Sequence, residues 1–271
     1  MRPDALAPQR VAADGLAADG LTADGLAADG LAADGLAADG LAADVAPDGS
    51  PVEVFDHLPA EPAAGYVLRA IQPGADVLEL GCGAGRLTRV LLAAGHHVVA
   101  VDQSPAMLAR VPPAAQRVLG DAASLDLGRC FGAVLLGSYL VNHLALGGRF
   151  LSTAAHHLAP GGTVVVQRYD PAWVRSATTG AAVVGPVTVR VTRLVPGAGS
   201  FEATVAYEIG GRRWEQAIEA AVVDESDLDA LAAGVGLVRG AWLDEHHTWA
   251  TLVPTALGAG RTGPSERDAR A

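Results

Sequence analysis

From residue 76 onward, short apolar runs alternate with amphipathic stretches, and the period of the pattern switches between two and about 3.6. Strands are predicted near 76–80, 97–101, 116–119, 131–136 and 162–168, and helices near 86–94, 105–110 and 147–158. An earlier stretch, 61–71, suits a short helix carrying Tyr66, Leu68 and Ile71. A βαβα series of this kind folds as a mostly parallel sheet with helices on both faces, and its ligands sit beyond the C-terminal ends of the strands.

The pattern changes at residue 186. Val187 to Leu194 and Phe201 to Ile209 alternate strictly, and a Gly210-Gly211 turn leads into Arg213 to Ile218. Residues 186–223 therefore read as an antiparallel meander with one wet face. Residues 225–233 suit a helix with Asp224 as N-cap, and 237–243 with 247–253 suit a closing hairpin. Beyond Pro254 the chain turns polar, so 255–271 are expected to be a disordered tail of a domain spanning 50–254.

Upstream, residues 14–44 repeat Asp-Gly-Leu-Ala-Ala, with Thr22 as one substitution. A five-residue step turns successive Leu side chains by about 140° on a helix, so they share no face. Each Gly costs about 1 kcal/mol against Ala in a helix. On a strand the odd period flips alternate Leu residues. Residues 1–49 are expected to be low-complexity and disordered. They hold nine Asp and two Arg, which leaves −4 of the formal −11 charge to the remainder.

That remainder has no basic patch to argue for nucleic acid. No apolar run reaches the roughly 20 residues of a membrane helix, and no signal peptide is visible. Cys82 and Cys130 stand apart, which suits reduced thiols and a cytoplasmic protein, monomeric or homodimeric. The adjacent pairs His96-His97, His156-His157 and His246-His247 diverge on any regular element and lack a third ligand at metal spacing, so no metal site is expected.

The chemistry concentrates at Val77-Leu78-Glu79-Leu80-Gly81-Cys82-Gly83-Ala84-Gly85-Arg86, a strand, a glycine turn and a helix start. A dinucleotide fingerprint places its last glycine where Arg86 stands, which weakens the NAD reading. The chain has no lysine, which excludes a P-loop.

Glu79 to Gly85 resembles motif I of the class I S-adenosylmethionine-dependent methyltransferases. Further segments follow in that family's order. They are His97 to Asp102, Ser104 to Met107, Leu119 to Ala122, Phe131 to Leu136, and Leu158 to Gly162. The resemblance, over about residues 76–168, implies a Rossmann-like, doubly wound sheet of seven strands, mostly parallel with the last antiparallel, and the meander as an inserted β-cap. It implies S-adenosylmethionine as cofactor and methyl transfer to a small-molecule acceptor. A non-catalytic cofactor-binding protein of the same fold is the alternative.

Carried onto this sequence, the resemblance implies a cofactor site of Glu79, Gly81, Cys82, Gly83, Gly85, Asp102, Gln103, Met107, Asp121, Ala122 and Gly137. Glu79 would order the methionyl amine and Asp102 would accept from the ribose hydroxyls. Asp121 and Ala122 would meet the adenine edge, with Met107 on its face. In this fold, Gly137 to His143 would face the transferable methyl. Methyl transfer needs alignment first and a base only where the acceptor must lose a proton. His143 is the candidate base and Tyr139 its companion, while Asn142, Tyr169 and Trp173 are candidates for holding the acceptor. The segment lacks the [DN]-P-P-[FYW] signature of adenine- and amide-nitrogen methyltransferases.

Overall fold

A computed structural model describes residues 44–176 and 178–255. The 14–43 part of the repeat and the 256–271 part of the tail lie outside the described residues, and with them the expectations placed on them.

Two sheets organise the chain. The first has seven strands: β1 (Asp76–Leu80), β2 (His97–Asp102), β3 (Gln116–Leu119), β4 (Phe131–Leu136), β5 (Leu158–Gln167), β10 (Leu237–Trp242) and β11 (Trp249–Pro254). Their spatial order is β10-β11-β5-β4-β1-β2-β3. Neighbours from β5 to β3 pair in parallel, whereas β11 runs antiparallel to both β5 and β10. The central strands β1 and β4 show the unbroken burial of strands covered on both faces, with Leu78, Leu80, Val134 and Leu136 fully buried.

The α-helices of the described residues are α1 (Val52–His57), α2 (Ala63–Ala70), α3 (Arg86–Ala93), α4 (Pro105–Leu108), α5 (Gly147–His156), α6 (Pro171–Ser176) and α7 (Glu225–Gly234); α1 and α6 pack against the second sheet and the others against the first. The N-terminus of α7 carries a reciprocal capping box between Asp224 and Asp227. One face of the sheet buries Leu87, Leu91 and Trp249, and the other buries Phe150, Leu151 and Leu228.

The second sheet is antiparallel, in the order β6 (Gly180–Val184), β7 (Val187–Pro196), β8 (Ser200–Ile209), β9 (Arg212–Ala221). Its inner face packs Val189, Val205, Tyr207 and Trp214 against Val54 of α1 and against Tyr139, Tyr169 and Trp173. This cap extends beyond the expected 186–223. The first strand, β6, opens with Gly180-Ala181-Ala182, small residues whose side chains carry little alternation. The six-residue helices α1 and α6 are too short to show a period and were not expected.

The other differences are at boundaries. Strand β5 begins at Leu158 instead of 162, because Leu158 pairs with Phe131 across a bulge before the ladder resumes at Thr163. Residues 44–49, expected to be disordered with the repeat, belong to the folded unit. Ala46 is buried, Val45 bridges to Pro51, and Arg212 of β9 bonds Asp44 at 2.6 Å.

Candidate functional site

A cleft of about 190 Å³ opens beyond the C-terminal ends of β1, β2 and β4. The sheet supplies one wall, and residues 44–50 with α1 supply the other. The glycine turn after β1 forms its floor. Gly81, Gly83 and Gly85 have φ of 67°, 52° and 84°, backbone that a side chain strains. A Cβ on Gly81 would come within 2.8 Å of Leu140 Cδ1, and one on Gly85 within 3.2 Å of the Val111 backbone. Cys82 is buried beneath the turn and donates its N–H to Val101 O of β2 at 2.9 Å.

Asp102, at the end of β2, reaches across to this turn. Its Oδ2 accepts the Gly83 N–H and its Oδ1 the Ser104 N–H, each at 2.8 Å. Burial raises its pKa. The two N–H bonds act the other way, and the nearby Asp48 charge adds to the rise. Each carboxylate oxygen keeps a further lone pair for a ligand. Met107 packs with Ala46, Val52 and Ala84, which joins the residue after β2 to the N-terminal wall.

Asp121 and Ala122 also line the cleft, and so does Gln103. Asp121 closes a turn, its Oδ1 accepting from Ala123 N at 2.8 Å and its Oδ2 from Ser124 Oγ at 2.9 Å. Glu79 and Gly137 border a smaller recess of about 30 Å³ on the other side of the turn. Burial of Glu79 pushes its pKa from 4.5 up to about 7, opposed by the hydrogen bond from Thr88. Ten of the eleven residues assigned to the cofactor thus border these two spaces, and the eleventh, Gly85, shapes the turn between them.

The segment after β4 is strained. Ser138 and Tyr139 both adopt positive φ, 52° and 59°, without being glycine. Ser138 donates its N–H to Gln167 Oε1 at 2.9 Å and borders both spaces. His143 lines the cleft, and its Nδ1 accepts from Ala145 N at 3.2 Å and Leu146 N at 3.1 Å, at the entry to α5. In the neutral ring the proton is then on Nε2, which makes that nitrogen a donor. This geometry disagrees with the expectation of a base at His143.

Four more of the expected residues sit elsewhere. Asn142 is fully buried; its Nδ2 donates to Ala221 O at 2.9 Å, and its Oδ1 accepts from Tyr169 N at 3.1 Å. It ties β9 to the end of β5 instead of facing a ligand. Tyr139 and Tyr169 stack with centroids 4.0 Å apart, and Trp173 and Phe201 extend the cluster. Tyr139, Tyr169 and Trp173, with Phe201, fill the junction between cap and sheet. The cleft takes its cap-side polar groups from Asp48 and Ser50, which sequence reading missed because they follow directly on the repeat. The register break at Val45-Ala46-Pro47-Asp48-Gly49-Ser50 is the one clue the sequence offers.

Folding also gives the His156-His157 pair a third neighbour, Asp126, which sequence spacing did not reveal. His157 has both nitrogens engaged, Nδ1 with Thr153 O at 2.8 Å and Nε2 accepting from Leu127 N at 3.0 Å. It offers no lone pair to an ion, and the trio is a structural contact.

Comparisons with known proteins fit this geometry. Residues 78–166 match the family described as "Methyltransferase domain". No curated protein matches the sequence. Among solved structures, DesVI of Streptomyces venezuelae is similar at a TM-score of 0.60 and 24% identity, over 72% of this chain and 91% of that one. CalS10 of Micromonospora echinaspora, an amino pentose methyltransferase with S-adenosylmethionine bound, gives 0.57 and 23%, over 72% and 90%. The sugar N-methyltransferase KedS8 of a Streptoalloteichus species gives 0.55 and 19%, over 84% and 98%, a span that reaches further along this chain. Residues 78–166 match the methyltransferase-domain model, and the chain carries the class I methyltransferase fold.

Proposed function

We propose that this protein is an S-adenosylmethionine-dependent methyltransferase acting on a small molecule. The observation that carries the reading is the pairing of the left-handed glycine turn with Asp102 across a cleft at the strand ends. The turn brings backbone N–H groups close to a ligand, and Asp102 keeps lone pairs for a ribose diol. Asp121, Ala122, Gln103 and Met107 lie where an adenine would follow, and Glu79 and Gly137 border the recess suited to the methionyl end. The cofactor supplies an electrophilic methyl on a sulfonium. The chain aligns an acceptor against it and excludes water through residues 44–50, Phe55 and Phe150. His143 orients the acceptor as an Nε2–H donor. Tyr139, Tyr169 and Trp173 brace the cap that bounds the acceptor end.

Among the described residues no helix is long and apolar enough to cross a membrane. The amino pentose and sugar N-methyltransferase neighbours favour a small polar acceptor. Calorimetric titration of the purified protein with S-adenosylmethionine and S-adenosylhomocysteine tests the reading. Saturable binding of both is expected, and absence of binding would falsify it.

A further inference from the structure

One charge enters the cleft from outside the seven-stranded sheet. Asp48 lines the cleft, as do Ser138 and His143, and a chain of hydrogen bonds from the interior of the cap holds it there. Tyr207 of β8 donates its hydroxyl to Gln216 Oε1 of β9 at 3.0 Å. Gln216 Nε2 donates to Ser50 Oγ and to the Asp48 main-chain O, both at 3.2 Å. Ser50 donates its hydroxyl to Asp48 Oδ2 at 2.8 Å and its N–H to Asp48 Oδ1 at 3.0 Å. Tyr207, Gln216 and Ser50 are 0%, 2% and 2% exposed.

The series from Tyr207 through Gln216 and Ser50 runs in one direction and ends on the Asp48 carboxylate, and a branch from Gln216 Nε2 holds the Asp48 main-chain O. Burying three polar side chains is costly unless each is satisfied, and here they satisfy one another while fixing a half-buried acid. A solvated surface Asp needs no such support. The support sets where the remaining lone pairs of Asp48 point, as a preorganised binding group requires.

The sign of the cleft narrows the ligand. Asp48, Asp102 and Asp121 line it, no Arg among the described residues does, and the chain has no lysine. Such a cleft attracts a cation and repels phosphate or carboxylate. Asp102 and Asp121 belong to the sheet side, where the proposed cofactor lies. Asp48 belongs to the cap side, held by cap residues.

We propose that Asp48 binds the amino group of a cationic small-molecule acceptor, with Ser50 and Gln216 as its positioning residues. This rests on the methyltransferase reading above. The bound ammonium sheds one proton to solvent. Its nitrogen lone pair then forms the N–C bond while the C–S bond electrons stay on sulfur, leaving a methylammonium product and S-adenosylhomocysteine.

The test uses the full chain and two readouts: the cofactor dissociation constant, and release of S-adenosylhomocysteine with matched acceptors, glucosamine against glucose and ethanolamine against ethylene glycol. Turnover of an amine and not of its hydroxyl partner is expected. Asp48→Asn should raise the amine KM about tenfold or more while S-adenosylmethionine affinity stays within about threefold, the loss of one charge-assisted contact. Gln216→Leu should raise the same KM by a smaller factor at unchanged kcat, and Asp48→Glu should restore part of the loss. Turnover of hydroxyl partners only, turnover of neither kind, or a loss of cofactor affinity in Asp48→Asn equal to its loss of KM would each overturn the assignment and leave the methyltransferase reading standing. Failure of the wild-type protein to bind S-adenosylmethionine would overturn both.

Discussion

The main-chain N–H of Gly83 donates to Asp102 Oδ2 at 2.8 Å, so the turn after β1 and the acid that ends β2 hold each other in place across 19 positions of sequence. Asp102→Ala removes the proposed ribose acceptor and also releases the turn. S-adenosylmethionine affinity should fall about tenfold or more, the scale of a lost charge-assisted hydrogen bond. Unchanged affinity by calorimetry would remove Asp102 from the site.

Glu79 gives a pH prediction. Burial holds its folded pKa near 7, above the ordinary 4.5. A carboxyl that keeps its proton more tightly when folded adds stability below its unfolded pKa, loses it as pH climbs between the two values, and leaves a penalty above them. The gap corresponds to about 3 kcal/mol of lost stability between pH 4.5 and 7. Glu79→Gln removes that slope. Denaturant midpoints of the ligand-free protein at about pH 5 and pH 8 should differ in the wild type and converge in the variant. A cationic cofactor favours the ionised form, so binding near pH 7 should release protons, measurable by titration in two buffers of different ionisation enthalpy.

Two glycines separate backbone strain from steric conflict. Gly95 has φ of 86° with nothing within 4 Å of an added Cβ, whereas Gly85 has φ of 84° with the Val111 backbone 3.2 Å away. Gly95→Ala should cost about 1 kcal/mol, and Gly85→Ala about 3 kcal/mol with loss of cofactor affinity. Equal costs by thermal denaturation would show that the turn yields around the new methyl.

For His143, bonded at Nδ1 by two main-chain N–H groups, the expected role is that of a donor. His143→Gln places an amide N–H near the Nε2 position and should hold kcat within about tenfold, whereas loss of a general base costs about a hundredfold or more.

Asn142 should behave as a strut. Asn142→Leu strands Ala221 O and Tyr169 N in the interior and should lower stability by about 2 to 4 kcal/mol. A stable variant with a selective loss of acceptor KM would return Asn142 to the acceptor site.

The sheet was legible because its strands are apolar runs bounded by glycine turns, and many of the residues that border the cleft because they stand in the turns at strand ends. The acceptor side was not. Tyr139, Tyr169 and Trp173 have the side chains of ligand-lining residues, yet the cap folds over them and makes them core, which no local pattern discloses. Asp48 lay hidden for the opposite reason, since composition joins it to the repeat, and Ser50 stands at that boundary; contacts with Gln216, 168 and 166 positions away, help bring them to the cleft.

The strand order carries a consequence of its own. In the sheet β1 lies between β2 and β4, so the chain leaves β1 toward one side and enters the sheet's other half through β4. Connections that depart in opposite directions leave a crevice between them. The cleft is thus a product of the order in which strands were laid down, independent of which side chains border it. Substitution can change its sign, its depth or its occupant, but cannot close it without re-threading the sheet. A lineage built on this scaffold is free to exchange acceptors by altering a few residues on the N-terminal wall and the cap, while the place where the methyl is delivered stays put.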